Sequence, residues 1–154
     1  MRFLLALAVF CIPGCGTMTD PNRLYVTRID PALKPVVAQW ETDCKQHLEQ
    51  SRCNTYGIES ITRVKEISGD KDILGQCSMY YRGFEEVKVI VLRDDIPLNG
   101  YYMRAVFLHE MLHCRLGFET HSQEGLMAAE LVYSEKTLAA KWAELLEEAY
   151  ELVK

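Results

Sequence analysis

The segment His109-Glu110-Met111-Leu112-His113 contains the residue types that chemistry at a metal centre requires. It lies in an apolar stretch, residues 101–116, whose pattern predicts a helix. Residues four positions apart share one face of a helix, so both imidazoles can bind the same ion. Neutral imidazoles suit zinc, and a catalytic zinc has three protein ligands and a water. The spacing therefore predicts that His109 and His113 bind zinc.

Glu110 follows the first histidine and is placed beside the open side of such an ion. A bound metal lowers the pKa of water, and a neighbouring glutamate can take the proton that the water releases. A structural zinc site closes its fourth position and has no use for a base there. The chemistry predicted for Glu110 is general-base activation of a water that attacks a carbonyl.

Hydrophobic spacing predicts the elements that position these residues. Before the metal helix we expect a strand at residues 24–27, a helix at 32–50, a strand at 61–67, and a hairpin of strands 78–82 and 87–92. Gly117 is a helix stop, and Ser134 can cap a last helix. This order predicts an α+β fold, with a small twisted mixed sheet, an N-terminal helix, an active-site helix and a C-terminal helix.

The composition indicates one globular domain with a sizeable core, since 49% of the 154 residues are hydrophobic and 25% are charged. The formal net charge is −5 and basic residues are not clustered, which argues against a nucleic-acid partner.

The first residues have the pattern of an export signal. Arg2 is followed by an apolar segment at residues 3–10, too short to span a bilayer, and then by Pro13 and Gly14. Ile12-Pro13-Gly14-Cys15 resembles the bacterial lipobox, which implies a lipid on Cys15 and a place in the bacterial cell envelope, facing the periplasm or the exterior. We therefore expect a signal at 1–14, a lipidated tether at 15–23 and one domain at 24–154. An ordinary signal peptide cut nearby is the alternative.

The remaining cysteines predict disulfides. The chain has 6 cysteines, and the export segment accounts for Cys11 and Cys15. An even number is left in an oxidising compartment, where three pairings are possible. We favour Cys44–Cys53, which closes a local loop, and Cys77–Cys114, which ties a strand to the metal helix.

The chain resembles the metzincin clan of zinc metallopeptidases, and within it a small bacterial form of the matrixin-like proteins. The resemblance is carried by His109-Glu110-x-x-His113, Leu116-Gly117-Phe118, His121-Ser122 and Gly125-Leu126-Met127, with weaker support upstream from Trp40, Ile61-Thr62-Arg63-Val64 and Asp72-Ile73. It covers most of residues 24–127. It implies a zincin-like fold and a zinc-dependent endopeptidase, in which a zinc-bound water activated by Glu110 hydrolyses peptide bonds. His121 would be the third zinc ligand and Met127 the Met-turn methionine.

Three alternatives stay open. In a gluzincin-like arrangement, Glu130 would replace His121 as the third ligand. In the second, the chain is a lipoprotein that binds zinc without turnover and serves as an interaction module. In the third, it is an immunity or inhibitor lipoprotein. Activity on peptides that disappears when Glu110 is changed distinguishes an enzyme from such a module.

Three further expectations concern substrate binding and one isolated histidine. An extended substrate can pair with an exposed edge strand, for which residues 78–82 and 87–92 are the candidates. Tyr133 is a candidate for stabilising the oxyanion. His47 has no partner motif and is interpreted as a surface or packing residue.

Overall fold

A computed structural model describes residues 27–70 and 72–154. The predicted export signal, the predicted lipidation site Cys15 and residues 24–26 of the first predicted strand lie outside the described residues. Within the described part, no helix combines the length and apolar character needed to cross a membrane.

The described chain forms a four-stranded mixed sheet and three α-helices, which confirms the predicted α+β class. The elements are, in order, β1 (Arg28–Ile29), α1 (Lys34–Cys44), β2 (Ile58–Val64), β3 (Gly75–Arg82), β4 (Glu85–Arg93), α2 (Tyr101–Cys114) and α3 (Glu135–Glu151). Short 3-10 helices, Pro31–Leu33 and Gln50–Arg52, precede α1 and β2.

The sheet has the strand order β1-β2-β4-β3. Strands β1, β2 and β4 are parallel, whereas β3 is antiparallel to β4 and forms one edge. The predicted hairpin is confirmed, since Arg82 pairs with Glu85 across a turn in which Gly83 has a φ of 67°. A positive φ at this tight turn favours glycine. Strand β3 is thus at an edge of the sheet, paired with β4 on one side and with no other described strand on its outer side.

Three predicted elements differ in their bounds from the structure. Among the described residues the first strand is Arg28–Ile29, and Thr27, the described residue of the strand predicted at 24–27, is outside it. The first α-helix spans only Lys34–Cys44. It starts late because a 3-10 turn capped by Asp30 precedes it, and the chain turns after Cys44. The strand predicted at 61–67 runs over Ile58–Val64, and Ile67 forms an isolated bridge with Asp70 around a turn that contains Gly69.

Helix α2 is the central helix of the core. Its buried residues lie on most of its faces, because it packs against β3, β4, α1 and α3. Its N-terminal end lacks a side-chain cap of its own, and the Glu135 carboxylate of α3 accepts hydrogen bonds from the backbones of Tyr101 and Tyr102. A negative charge at a helix N-terminus is stabilising. The chain leaves α2 through Gly117, whose φ is 75°, as the predicted helix stop requires.

Two disulfides and a helix cap complete the frame as predicted. Cys44 is bonded to Cys53, and Cys77 of β3 is bonded to Cys114 of α2. Ser134 caps α3 by accepting a hydrogen bond from the Thr137 backbone. The Cys77–Cys114 bond fixes the edge strand to the helix that carries the metal motif.

Candidate metal centre

Three histidine side chains meet at one point of the structure. His109 and His113 lie one turn apart on α2, and His121 comes from the irregular chain after Gly117. One ring nitrogen of each histidine lies within 4.8 Å of those of the other two. The ring centroids are 4.7 Å apart for His109 and His113 and 4.9 Å apart for His113 and His121. Among the described residues, this is the cluster able to hold a metal ion.

Backbone carbonyls fix how the two helix histidines are oriented. His109 Nδ1 is 2.8 Å from the Leu126 carbonyl oxygen, and His113 Nδ1 is 2.5 Å from that of Phe118. A carbonyl oxygen can only accept, so each Nδ1 carries the proton and donates. The lone pairs of the neutral rings are then on Nε2. This is the orientation that an outer hydrogen bond commonly gives a metal-binding histidine.

The distance between these two Nε2 atoms fits a shared cation. They are 3.1 Å apart, and with both protons on Nδ1 no hydrogen bond joins the two Nε2 atoms. Two nitrogens on one tetrahedral zinc, each about 2.05 Å from it, are separated by about 3.3 Å. Burial lowers the pKa of His109 to about 4, so this ring is neutral at pH 7 and available as a ligand. The residues present therefore fit a zinc ion.

The segment from Gly125 to Ala128 supports the histidines from the side opposite α2. The Leu126 carbonyl accepts from His109, and the Met127 carbonyl accepts a hydrogen bond of 2.9 Å from the Ser122 backbone, next to His121. The Met127 side chain is buried in the core. A buried methionine fills gaps in a core, and its assignment as a Met-turn residue stays a prediction.

Glu110 is turned from the histidines' face towards the edge strand. Its side chain is buried, and burial raises its pKa to about 7, while a hydrogen bond from the Cys77 backbone acts in the opposite direction. Gly75 leaves the room for this carboxyl group, because a Cβ atom on Gly75 would lie 2.9 Å from Glu110 Oε1. Glu110 is thus held between the metal cluster and β3. The sequence did not point to Gly75, since only the register of β3 against α2 places it there.

A cleft of about 1260 Å³ opens over the cluster and includes all three histidines and Glu110. Its lining includes Gly75, Gln76 and Cys77 of the edge strand and residues 128–131 of the irregular chain after α2. A site that is open to a cleft of this size can admit an extended chain.

The remaining candidate residues differ in where they lie relative to the histidine cluster and the cleft. Glu130 lines the cleft but is not a member of the metal-binding cluster, which contains His121. Tyr133 packs against the core and is outside the cleft lining, whereas Tyr102 is part of it. His47 is a packing residue, stacked on Tyr150 with centroids 4.8 Å apart and paired with Glu147. The proposal that residues 87–92 form an exposed edge was wrong, because β4 lies between β2 and β3.

Comparison of the chain with protein-family models, with curated proteins and with solved structures finds no match. The assignment of function therefore rests on the geometry of the site and on the residues that form it.

Proposed function

We propose that the chain is a zinc-dependent endopeptidase of the metzincin kind. The observation that carries the proposal is the convergence of the His109, His113 and His121 ring nitrogens at the floor of an open cleft, with Glu110 beside them. These three histidines would hold a zinc ion, and a catalytic zinc with three protein ligands would bind a water as well. When bound, zinc would lower the pKa of a water molecule and polarise the carbonyl group of a substrate.

Glu110 is the general base in this proposal. Its carboxylate takes a proton as the oxygen of water bonds to the scissile carbonyl carbon. The same carboxyl then gives a proton to the amine nitrogen as the carbon–nitrogen bond breaks. The contact of Glu110 with Gly75 and Cys77 keeps the group at the edge strand, where a substrate backbone would lie.

Strand β3 is the proposed binding surface for the substrate backbone. It is the sheet edge, and residues 75–77 line the cleft next to Glu110. Backbone groups on the outer side of an edge strand can pair with an extended peptide. Binding through the main chain would place a peptide bond near the cluster and leave sequence preference to the side chains that line the cleft.

A peptide-library digest by the zinc-loaded protein tests the proposal. Glu110→Gln keeps the shape of the side chain and removes the base, so cleavage should fall by roughly 10²–10⁴ while the zinc content stays the same. Glu144→Gln, an exposed change on α3, is the matched control and should cleave like the wild type. If neither the wild type nor Glu110→Gln cleaves any peptide with zinc fully loaded, the non-catalytic interaction module replaces the enzyme.

We also infer that the protein is exported and attached to a membrane through Cys15. The two disulfides support an oxidising compartment, because such bonds persist outside the reducing cytosol. The attachment rests on the resemblance of residues 12–15 to the lipobox.

A further inference from the structure

Exposed apolar side chains are concentrated at one end of the sheet. Large hydrophobic residues are exposed at seven described positions, which are Tyr56, Met79, Tyr80, Tyr81, Phe84, Val132 and Leu152. Five of these belong to β3, to the turn after it, or to the loop that leads into β2. We call Tyr56, Tyr80, Tyr81 and Phe84 the aromatic end.

Strand register places these four residues together. Tyr81 pairs with Glu86 near the start of β4, and Ile58 at the start of β2 pairs with Lys88. Because β2 and β4 are parallel, the loop that carries Tyr56 reaches the sheet at the same end as the hairpin turn. The four residues of the aromatic end therefore lie at the same end of the sheet.

The hairpin tip projects away from the rest of the molecule. Phe84 is fully exposed and Tyr81 is 74% exposed. Tyr80 and Tyr81 are consecutive on a strand and so point to opposite faces of it, yet both are exposed. Among residues 27–70 and 72–154, no helix buries these two tyrosines, so their rings are accessible to a membrane surface.

The described chain also begins at this end. Glu59 binds Arg28 of β1 at 2.7 Å and Arg82 beside the hairpin turn at 3.0 Å. The Thr27 hydroxyl donates to the Thr55 carbonyl, next to Tyr56. Cys15 is thirteen residues before Arg28, a span of at most about 45 Å. A lipid on Cys15 would hold a bilayer within reach of the aromatic end.

We propose that the aromatic end docks on the surface of a phospholipid bilayer. Amphipathic aromatic side chains settle at the membrane interface, where one part of the ring system is apolar and the other wet. The charged neighbours Arg28, Arg82 and Lys88 are balanced by Glu59, Glu85 and Glu86, so insertion needs no anionic lipid. The orientation rests on the proposed attachment through Cys15, but it does not depend on the peptidase.

Docking in this way fixes where the cleft lies. Cys77, which lines the cleft beside Glu110, is five residues from Arg82 along β3. At about 3.3 Å per residue, the part of the cleft beside Glu110 lies roughly 17 Å from the docked tip, and the cleft extends from there towards the tip as far as Met79 and Glu86. The substrates within reach are then protein segments close to the membrane surface.

Quenching of an added tryptophan by phosphatidylcholine with brominated acyl chains tests the docking. The full chain carries either Phe84→Trp or Val132→Trp beside its native Trp40 and Trp142, and it is bound to neutral phosphatidylcholine vesicles. The quenching of the wild type, which reports on the two native tryptophans alone, is subtracted from that of each variant. Val132 is 78% exposed and lies near Glu135, whose carboxylate caps the start of α2. Helix α2 runs beside β3 in the same direction, towards the hairpin tip, so the start of α2 is at the end of the molecule far from that tip. Val132→Trp is therefore a matched probe at the opposite end of the molecule.

We expect the Phe84→Trp probe to be quenched several-fold more strongly than the Val132→Trp probe. Replacing Phe84 and Tyr81 by serine should lower the vesicle partition roughly tenfold or more, because two apolar groups no longer insert. Equal quenching of the two probes, or no association with vesicles, would overturn the proposal. It is also overturned if the chain forms a dimer without lipid that Phe84→Ser abolishes, since a second copy would then cover the surface. Peptide cleavage, measured on the same preparations, reports separately on the proposed enzyme.

Discussion

Glu110 depends for its position on a neighbour without a side chain. Gly75 of the edge strand approaches Glu110 so closely that a Cβ atom would lie 2.9 Å from Glu110 Cγ and from Val106 Cγ1. Atoms at that distance must shift. The proposed base and the proposed substrate strand are therefore positioned by the same contact.

Gly75→Ala should impair cleavage without removing zinc. The added methyl group displaces the Glu110 carboxyl, and a misplacement of about 1 Å can cost on the order of 10² in rate. The measurement is the cleavage rate together with the zinc content of Gly75→Ala. Ser78→Ala, also on β3 but outside the cleft lining, controls for a general disturbance of the strand and should keep most of the rate. An unchanged rate in Gly75→Ala would contradict the placement of Glu110 described above.

At the scale of elements, the Cys77–Cys114 disulfide holds β3 against α2. It closes a loop of 37 residues, whereas Cys44–Cys53 closes a loop of 9. A disulfide lowers the entropy of the unfolded chain, and this effect grows with loop length. It predicts that Cys77–Cys114 adds about 4 kcal/mol to the free energy of unfolding and Cys44–Cys53 about 2.5 kcal/mol.

The paired variants Cys77→Ser/Cys114→Ser and Cys44→Ser/Cys53→Ser compare the two bonds. Both should lower the free energy of unfolding in urea, the first by more. Only the first should also reduce cleavage under folding conditions, because only that bond joins the edge strand to the helix of Glu110 and His113. Equal losses of cleavage in the two variants would indicate a general effect of stability.

The sequence predicts α2 well and the arrangement of the strands less well. The HExxH spacing, the apolar run before it and Gly117 each reflect local helix geometry, so the sequence predicts the helix, the meeting of His109 and His113 on one of its faces, and its end. Which strand forms the sheet edge depends on the pairing of residues distant in sequence, which periodicity does not encode. For the same reason the contact between Gly75 and Glu110 and the capping of α2 by Glu135 could not be foreseen.

At the scale of the whole molecule, the proposed docking would hold the aromatic end at the membrane surface, with the cleft and the edge strand β3 next to it. The predicted attachment at Cys15 lies outside the described residues. Docking through a few aromatic rings is weak, so the lipid would provide most of the affinity for the membrane.

Cys15→Ser should move most of the protein from the membrane fraction to the soluble fraction of fractionated cells. Cys11→Ser changes a cysteine inside the predicted export signal and should leave the protein in the membrane fraction. Retention of Cys15→Ser at the wild-type level would refute lipid attachment at this residue and favour the ordinary signal peptide.

A single zinc site formed by His109, His113 and His121 is central to the proposed activity. The direct measurement is the metal content of the purified protein beside that of His121→Ala and Glu130→Gln. The wild type and Glu130→Gln should each hold about one zinc per chain, and His121→Ala should lose most of it, because one of three protein ligands is gone. A Glu130→Gln protein without zinc and a His121→Ala protein that keeps it would contradict the three-histidine site and establish the gluzincin-like arrangement.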